Sequence, residues 1–231
     1  MLKLCLTAAY EKHLIGNVVD KICLPKTVSK DVKVLTKQEQ KRLEQVIEAE
    51  NKENDIGILI CLYTGIRIGE LCALKWENIN LDRKIMTIDK TMYSVQSNDG
   101  KCKTKIILSS PKSVNSERDI PIAELLSEKL SKIQKSEGFV INRNGKYIEP
   151  AVYSRRYKKL LEKAGIEYMM FHSTRHTFSV RARELGVDVQ TLSEILGHSS
   201  VSTTLNFYGH SLPEHKHNQM ERIGGLFSQS K

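Results

Sequence analysis

The sequence predicts a mainly α, α+β fold in which a helical domain carries one small three-stranded antiparallel sheet. Two observations predict it. Apolar residues recur at helical spacing over most of the chain, in segments opened by cap residues and closed by glycines, whereas three short stretches turn β-branched: residues 84–89 (KIMTID), 105–109 (KIILS) and 118–122 (RDIPI). With 40% hydrophobic residues among 231, the chain has the material for one large core or two small ones.

Taken in order, residues 1–22 read as an amphipathic helix with Leu4, Ala8, Leu14 and Val18 among its apolar positions, followed by Leu24-Pro25-Lys26 and a polar connector to Val34. Thr36 caps the next helix, to about Ala49, and Glu39 three residues on completes a capping box, with Leu43, Val46 and Ile47 inward. A helix from Asp55 toward Tyr63 has Ile56, Leu59, Ile60 and Tyr63 on its apolar side, and Gly65 stops it. Arg67 opens a third helix with Leu71 and Leu74 at i+4 and i+7, placing an arginine on an apolar stripe in a first turn whose N–H groups attract an anion. Glu70, three residues on, is placed to pair with it.

The three predicted strands follow, with residues 94–103 as a loop and Lys112 in the turn between the second and third, where Ser109, Ser110, Pro111 and Ser113 supply turn chemistry. Residues 123–135 read as a helix, 139–141 as a short strand, and Pro150 opens a helix to Ala164. The inner stripe of that helix is Tyr153, Tyr157, Leu160, Leu161 and Ala164, and this spacing assigns both tyrosines to packing rather than chemistry. Arg155, Arg156, Lys158, Lys159 and Lys163 crowd the rest of its surface, a face that suits a phosphate backbone and otherwise serves solubility.

Residues 171–208 hold the densest chemistry. The first segment opens near His172 and carries Phe171, Phe178, Ala182 and Leu185 as its stripe, with Arg175 on the same face. A permanent cation turned inward is costly unless a carboxylate or phosphate meets its planar fork. Gly186 ends that helix and Asp188 caps the next, with Val189, Leu192, Ile195 and Leu196 on one face. Gly197 ends it in turn and leaves His198 in the joint; a third segment from about Ser200 aligns Val201, Leu205 and Tyr208 toward the same interior. Beyond it, residues 213–223 read as a short helix, Gly224-Gly225 as a hinge and Leu226-Phe227 as an apolar hook.

Lys and Arg number 36 against 27 acids, a net charge of +9, which points to an acidic partner, nucleic acid before membrane. The five cysteines are odd in number, form no C-x-x-C pair and read as reduced, buried thiols of a cytoplasmic protein. Neither a signal pattern nor a run of about 18 apolar residues appears.

The pattern H-x-x-R (His172, Arg175), then L-G-H-S ending at Ser199, then Tyr208 ten positions after His198 resembles the catalytic end of the tyrosine recombinases, the integrases of phages and conjugative transposons. Upstream, residues 64–70 (TGIRIGE) resemble the family's first-arginine box and Pro111-Lys112-Ser113 its lysine hairpin. The resemblance implies the helical recombinase catalytic fold over residues 31–212, a core-binding-domain remnant and linker over 1–30, and a protomer-contacting tail over 213–231. It also implies double-stranded DNA as partner, a homotetramer on it formed through the tail, accessory bending or directionality proteins, and a place on the bacterial nucleoid. The residue set suits phosphoryl transfer by electrostatics, without metal or other cofactor. Arg67 and Arg175 would hold the non-bridging oxygens, His198 would donate a further hydrogen bond, His172 would help Tyr208 become a nucleophile, and Lys112 would protonate the leaving 5′ oxygen. Glu70 and His176 are expected to support them. Lys101, Lys103, Lys105, Arg155, Arg156, Lys158 and Lys159 are expected to meet DNA.

Three other readings compete. His172 and His176 have the i, i+4 spacing of zinc ligands, although Ser173 stands where H-E-x-x-H has its glutamate. The two helices around Gly186 resemble a helix-turn-helix, a binding module without chemistry. Type IB topoisomerases share the same constellation and relax DNA.

Overall fold

The apolar segment IGILICLYT forms α3 (Ile56–Thr64), and every residue in it except Tyr63 is buried. A helix hydrophobic around its whole circumference belongs in the middle of a core, so the one-sided stripe expected from the sequence understates its burial. Gly65 closes it with φ +70°, and a side chain there would collide with Phe178 and Leu196. The structure, a computed structural model, describes residues 2–13, 33–96, 104–109, 117–198, 200, 201, 220 and 221.

The chain divides into two units, residues 1–31 and 32–231. In the first, α1 (Leu2–Glu11) is shorter than the helix expected over residues 1–22. His13 adopts a left-handed backbone (φ +54°) just past its end, and Leu14 and Val18 lie outside the described residues.

In the second unit, α2 (Lys37–Glu50) begins with the predicted capping box: the Thr36 side chain accepts the Glu39 N–H at 3.2 Å and Glu39 accepts the Thr36 N–H at 2.8 Å. Leu43 and Ile47 face the core. The next helix, α4 (Ile68–Ala73), has six residues, and Arg67 is its N-cap in extended conformation rather than its first helical residue. Leu74 lies beyond the end of the helix, and Glu70 folds back to accept the Arg67 N–H at 2.9 Å. The expected anion-binding turn is thus occupied by the chain's own carboxylate.

The sheet differs from expectation. A three-stranded antiparallel sheet does form, but from β1 (Ile79–Asn80), β2 (Ile85–Ile88) and β5 (Arg118–Pro121), in the order β1-β2-β5. Residues 105–109 pair instead with a strand the sequence does not mark, whose second half, residues 94–96, reads as loop: β3 (Thr91–Gln96) and β4 (Thr104–Ser109) make a separate antiparallel hairpin in which Met92 faces Leu108. Strand propensity cannot select a partner, and the local hairpin closes the smaller loop. Residues 139–141 form a bridge from Phe139 to Lys75 rather than a strand, and a small hairpin follows, β6 (Asn142–Arg143) with β7 (Lys146–Tyr147).

Helix α5 (Glu124–Ser131) ends before the expected Lys135, whereas α6 (Pro150–Lys163) closely matches its prediction. Tyr153 and Tyr157 are fully buried and meet Phe171 edge-to-face, with ring centroids 5.7 and 5.1 Å away. The Tyr153 hydroxyl donates to the Asn54 carbonyl at 2.6 Å, and the Tyr157 hydroxyl lies 3.1 Å from Ser173 Oγ. Burial pushes both phenols up, Tyr157 to about 12, so neither is a ready nucleophile.

On α7 (Ser173–Glu184) the hydrophobic reading needs correction. Its buried face is largely polar (Ser173, Thr174, Arg175, Thr177, Ser179), Phe178 is half-buried, and Leu185 is 84% exposed at the rim of an open apolar groove shared with Val187 and Ile195. The hydroxyls supply their own partners by bonding back along the helix, Thr177 to the Ser173 carbonyl at 2.8 Å and Ser179 to that of Arg175 at 2.9 Å. Asp188 caps α8 (Val189–Leu196) as predicted, accepting the Thr191 N–H at 2.9 Å, and Gly197 ends it with φ +64°. The expected helix carrying Tyr208, past Val201, lies outside the described residues, as does the tail apart from residues 220 and 221.

Candidate active site

The C-terminal end of α8 gathers arginines from three distant elements. Arg175, 3% exposed in the first turn of α7, donates from one nitrogen to the Gly65 carbonyl at 2.8 Å and from the other to Leu196 at 2.9 Å. Arg67 reaches the same end, with bonds to the carbonyls of Leu196 (3.4 Å) and Gly197 (3.2 Å). Arg118, at the start of β5, donates its Nε–H to the Ile195 carbonyl at 2.6 Å. Carbonyls left unpaired at a helix terminus carry its negative dipole end, so three guanidinium groups are drawn to one point.

Glu70, 3% exposed, is the carboxylate that binds this cluster together. It takes Arg67 at 2.7 Å and Arg118 at 2.9 Å on opposite oxygens. Burial alone would push its carboxyl up, but hydrogen bonding and charge from Arg118 and then Arg67 outweigh that and hold it below the usual carboxylate range.

Three histidines border the cluster. The rings of His172 and His176 meet edge-on at 4.5 Å, and His198 follows directly on Gly197. Burial, then the guanidinium charges of Arg175 and Arg67, lower His172 and take His198 down to about 4; burial, then His172, takes His176 to about 4. All three imidazoles are therefore neutral at pH 7, able to accept a proton or to donate one N–H. Among the described residues no third His, Cys, Asp or Glu joins His172 and His176 in a group that could hold a metal ion. Nor is the α7–α8 pair a free helix-turn-helix reader: α7 is buried along Ser173, Arg175 and Ser179, and the end of α8 is held by the three arginines.

The structure thus brings together Arg67, Glu70, His172, Arg175, His176 and His198. Lys112, Tyr208, Lys101 and Lys103 lie outside the described residues. Lys105 is exposed on β4, and Arg155, Lys158 and Lys159 are exposed on α6. Arg156 departs from the solvated face expected of it: its fork grips Asp55, which is fully buried, with Nε–H to Oδ1 at 2.5 Å. Lys158 also lies over the Tyr168 ring, 5.5 Å from its centre. Sequence reasoning missed Arg118. The signal was present, because strict alternation in RDIPI places Arg118 on the face of Ile120 and Ile122, which are buried.

The profile of the phage integrase family matches residues 33–215. This chain belongs to the phage integrase family. A tyrosine recombinase XerC-like protein of Caldanaerobacter subterraneus subsp. tengcongensis is 30% identical over 231 aligned residues, 90% of this chain and 59% of that relative. Tyrosine recombinase XerA of Pyrococcus furiosus is 30% identical over 211, covering 88% of this chain and 65% of its own length. The chain therefore spans about three-fifths of the curated relatives it matches. The structure of a Tn1549 transposon integrase in complex with a circular intermediate DNA superposes with a TM-score of 0.74 at 23% identity, covering 96% of this chain and 76% of that one. The integrase catalytic architecture, mainly helical with small antiparallel sheets, is thereby shared.

Proposed function

We propose that this integrase-family chain cleaves and rejoins double-stranded DNA at a specific site through a 3′-phosphotyrosyl intermediate, integrating or excising a mobile element. The observation that carries the proposal is the convergence of Arg67 and Arg175 on the Leu196 carbonyl, two residues before His198. Three guanidinium groups to one carboxylate leave this cluster cationic, and a phosphodiester supplies the missing anion.

In this reading Arg67 and Arg175 bind the non-bridging oxygens of the scissile phosphate, and neutral His198 adds an N–H donor. The Tyr208 oxygen attacks phosphorus, its proton passing to His172, whose lowered pKa keeps it basic in form. The P–O5′ bond breaks as the P–O(Tyr) bond forms, and Lys112 donates a proton to the departing 5′ oxygen. One ester replaces another, so rejoining is the same step reversed with a new 5′ hydroxyl. We further infer that four copies assemble on two duplexes through the tail, residues 213–231, in the bacterial cytoplasm on nucleoid DNA.

The test is a nicked suicide substrate carrying the element's end. An SDS-resistant adduct is expected from the native chain, and none from Tyr208→Phe, which keeps the ring and DNA affinity. Adduct persisting in Tyr208→Phe refutes the assignment. Site-independent relaxation of supercoiled DNA would favour a topoisomerase instead.

A further inference from the structure

The Arg118 side chain is 7% exposed and belongs to a closed ring of bonds. It donates Nε–H to the Ile195 carbonyl at 2.6 Å, and its two terminal nitrogens reach Glu70 at 2.9 and 3.3 Å. Glu70 holds Arg67 at 2.7 Å, and Arg67 returns to Gly197 at 3.2 Å. The ring leaves no space at Gly197: a side chain there would stand 2.8 Å from the Arg118 guanidinium. Three elements are tied by it, namely β5, the start of α4 and the end of α8.

We propose that Arg118 is a positioning residue for strand cleavage, acting through Glu70 and the end of α8 without touching DNA. The inference rests on the function proposed above. Two effects follow from the geometry. Glu70 is one negative charge shared by two cations, so Arg118 satisfies part of the carboxylate that would otherwise claim all of Arg67. Arg67, whose side chain is 38% exposed, keeps a face turned outward for phosphate. The second effect is mechanical. Arg118 fixes the backbone that leads into His198, and it anchors the first residue of β5, six positions after Lys112.

The experiment measures single-turnover adduct formation at saturating suicide DNA, DNA affinity and thermal unfolding for the full chain and for Arg118→Met, Arg118→Lys, Glu70→Gln and the Arg118→Met/Glu70→Gln pair. Arg118→Met should slow cleavage by roughly 10–100-fold, as when a group that orients a ligand is lost, while affinity for DNA changes less than about twofold because backbone contacts elsewhere dominate it. Arg118→Lys, lacking the fork, should recover only part of the rate. Glu70→Gln removes the charge that Arg118 balances, so the pair should cleave no more slowly than Arg118→Met alone. Native-rate cleavage by Arg118→Met overturns the inference. Rate losses that multiply in the pair and track the drop in melting temperature overturn it too, leaving Arg118 a staple of the fold. A native chain that forms no adduct removes the recombinase reading itself, and the inference with it.

Discussion

His198 is the residue whose chemistry depends most on what surrounds it. Its imidazole is half-buried beside Arg175, Arg67 and Arg118, and it titrates near 4 instead of 6.5. An anion between those cations would reverse part of that shift. The His198 imidazole signal in an NMR titration should therefore stay neutral to about pH 5 in the free protein, since it titrates near 4, and its midpoint should rise when half-site DNA binds. An unmoved midpoint would place the phosphate elsewhere. Arg175 makes the companion case. Its fork already spans two backbone carbonyls, of Gly65 and Leu196, and a lysine has one ammonium where the fork has several donors. Arg175→Lys should cut adduct formation by at least about 100-fold, the scale of losing one preorganised oxyanion donor, with DNA binding retained in a filter or fluorescence titration.

At the scale of the element, α6 separates two uses of positive charge. Arg155 and Lys159 are exposed, whereas Arg156 neutralises a fully buried Asp55. Charge reversal at Arg155 and Lys159 should reduce the slope of log K against log salt by about 2, since each phosphate contact contributes roughly 0.9. Arg156→Met should leave that slope unchanged. It should instead cost about 3 kcal/mol in urea unfolding, the scale for stranding a buried charge without its partner. The reverse pattern would make Arg156 a DNA ligand and Asp55 a dispensable acid. The β3–β4 hairpin shows the limit of element-level reading: KIILS marks a strand in sequence, but only the register, Thr91 opposite Ser109, says which strand it joins.

For the whole molecule, the ionisable groups around the arginine cluster make stability depend on acid. His172, His176 and His198 all titrate lower in the folded protein than in the unfolded chain, and for His176 and His198, which come down to about 4, the unfolded chain binds more protons between about 6.5 and 4. Stability is therefore full above pH 6.5 and declines as pH falls toward 4. Glu70 has the same sign, contributing above the ordinary carboxylate range and losing that contribution as pH falls through its own depressed value. Urea midpoints should be level from pH 7 to 8, fall from 6.5 toward 4 with the histidines, and keep falling below about 4.5, where the unfolded chain protonates the Glu70 carboxyl that the folded protein still holds ionised. Replacing His198 and His176 with Gln should flatten the upper part of that decline.

The sequence alone determined the helical segments that have strong local punctuation. Thr36 with Glu39, Pro150, Asp188 and Gly197 mark helix ends by bonds or backbone angles that involve neighbours a few residues away, and such signals survive without tertiary context. It also singled out Arg67, Arg175 and His198, the two arginines as cations turned inward and all three together by their resemblance to the recombinase motifs. Beyond the local Arg67–Glu70 pair, tertiary structure alone decided what those arginines touch. The partners of Arg175 and Arg118 are 110 and 77 residues away, at Gly65 and Ile195, and no period in the sequence encodes such a distance. It likewise decided strand pairing, the polar buried face of α7 and the capture of Arg156 by Asp55, each settled by which surfaces meet when the core closes rather than by the residues' own propensities.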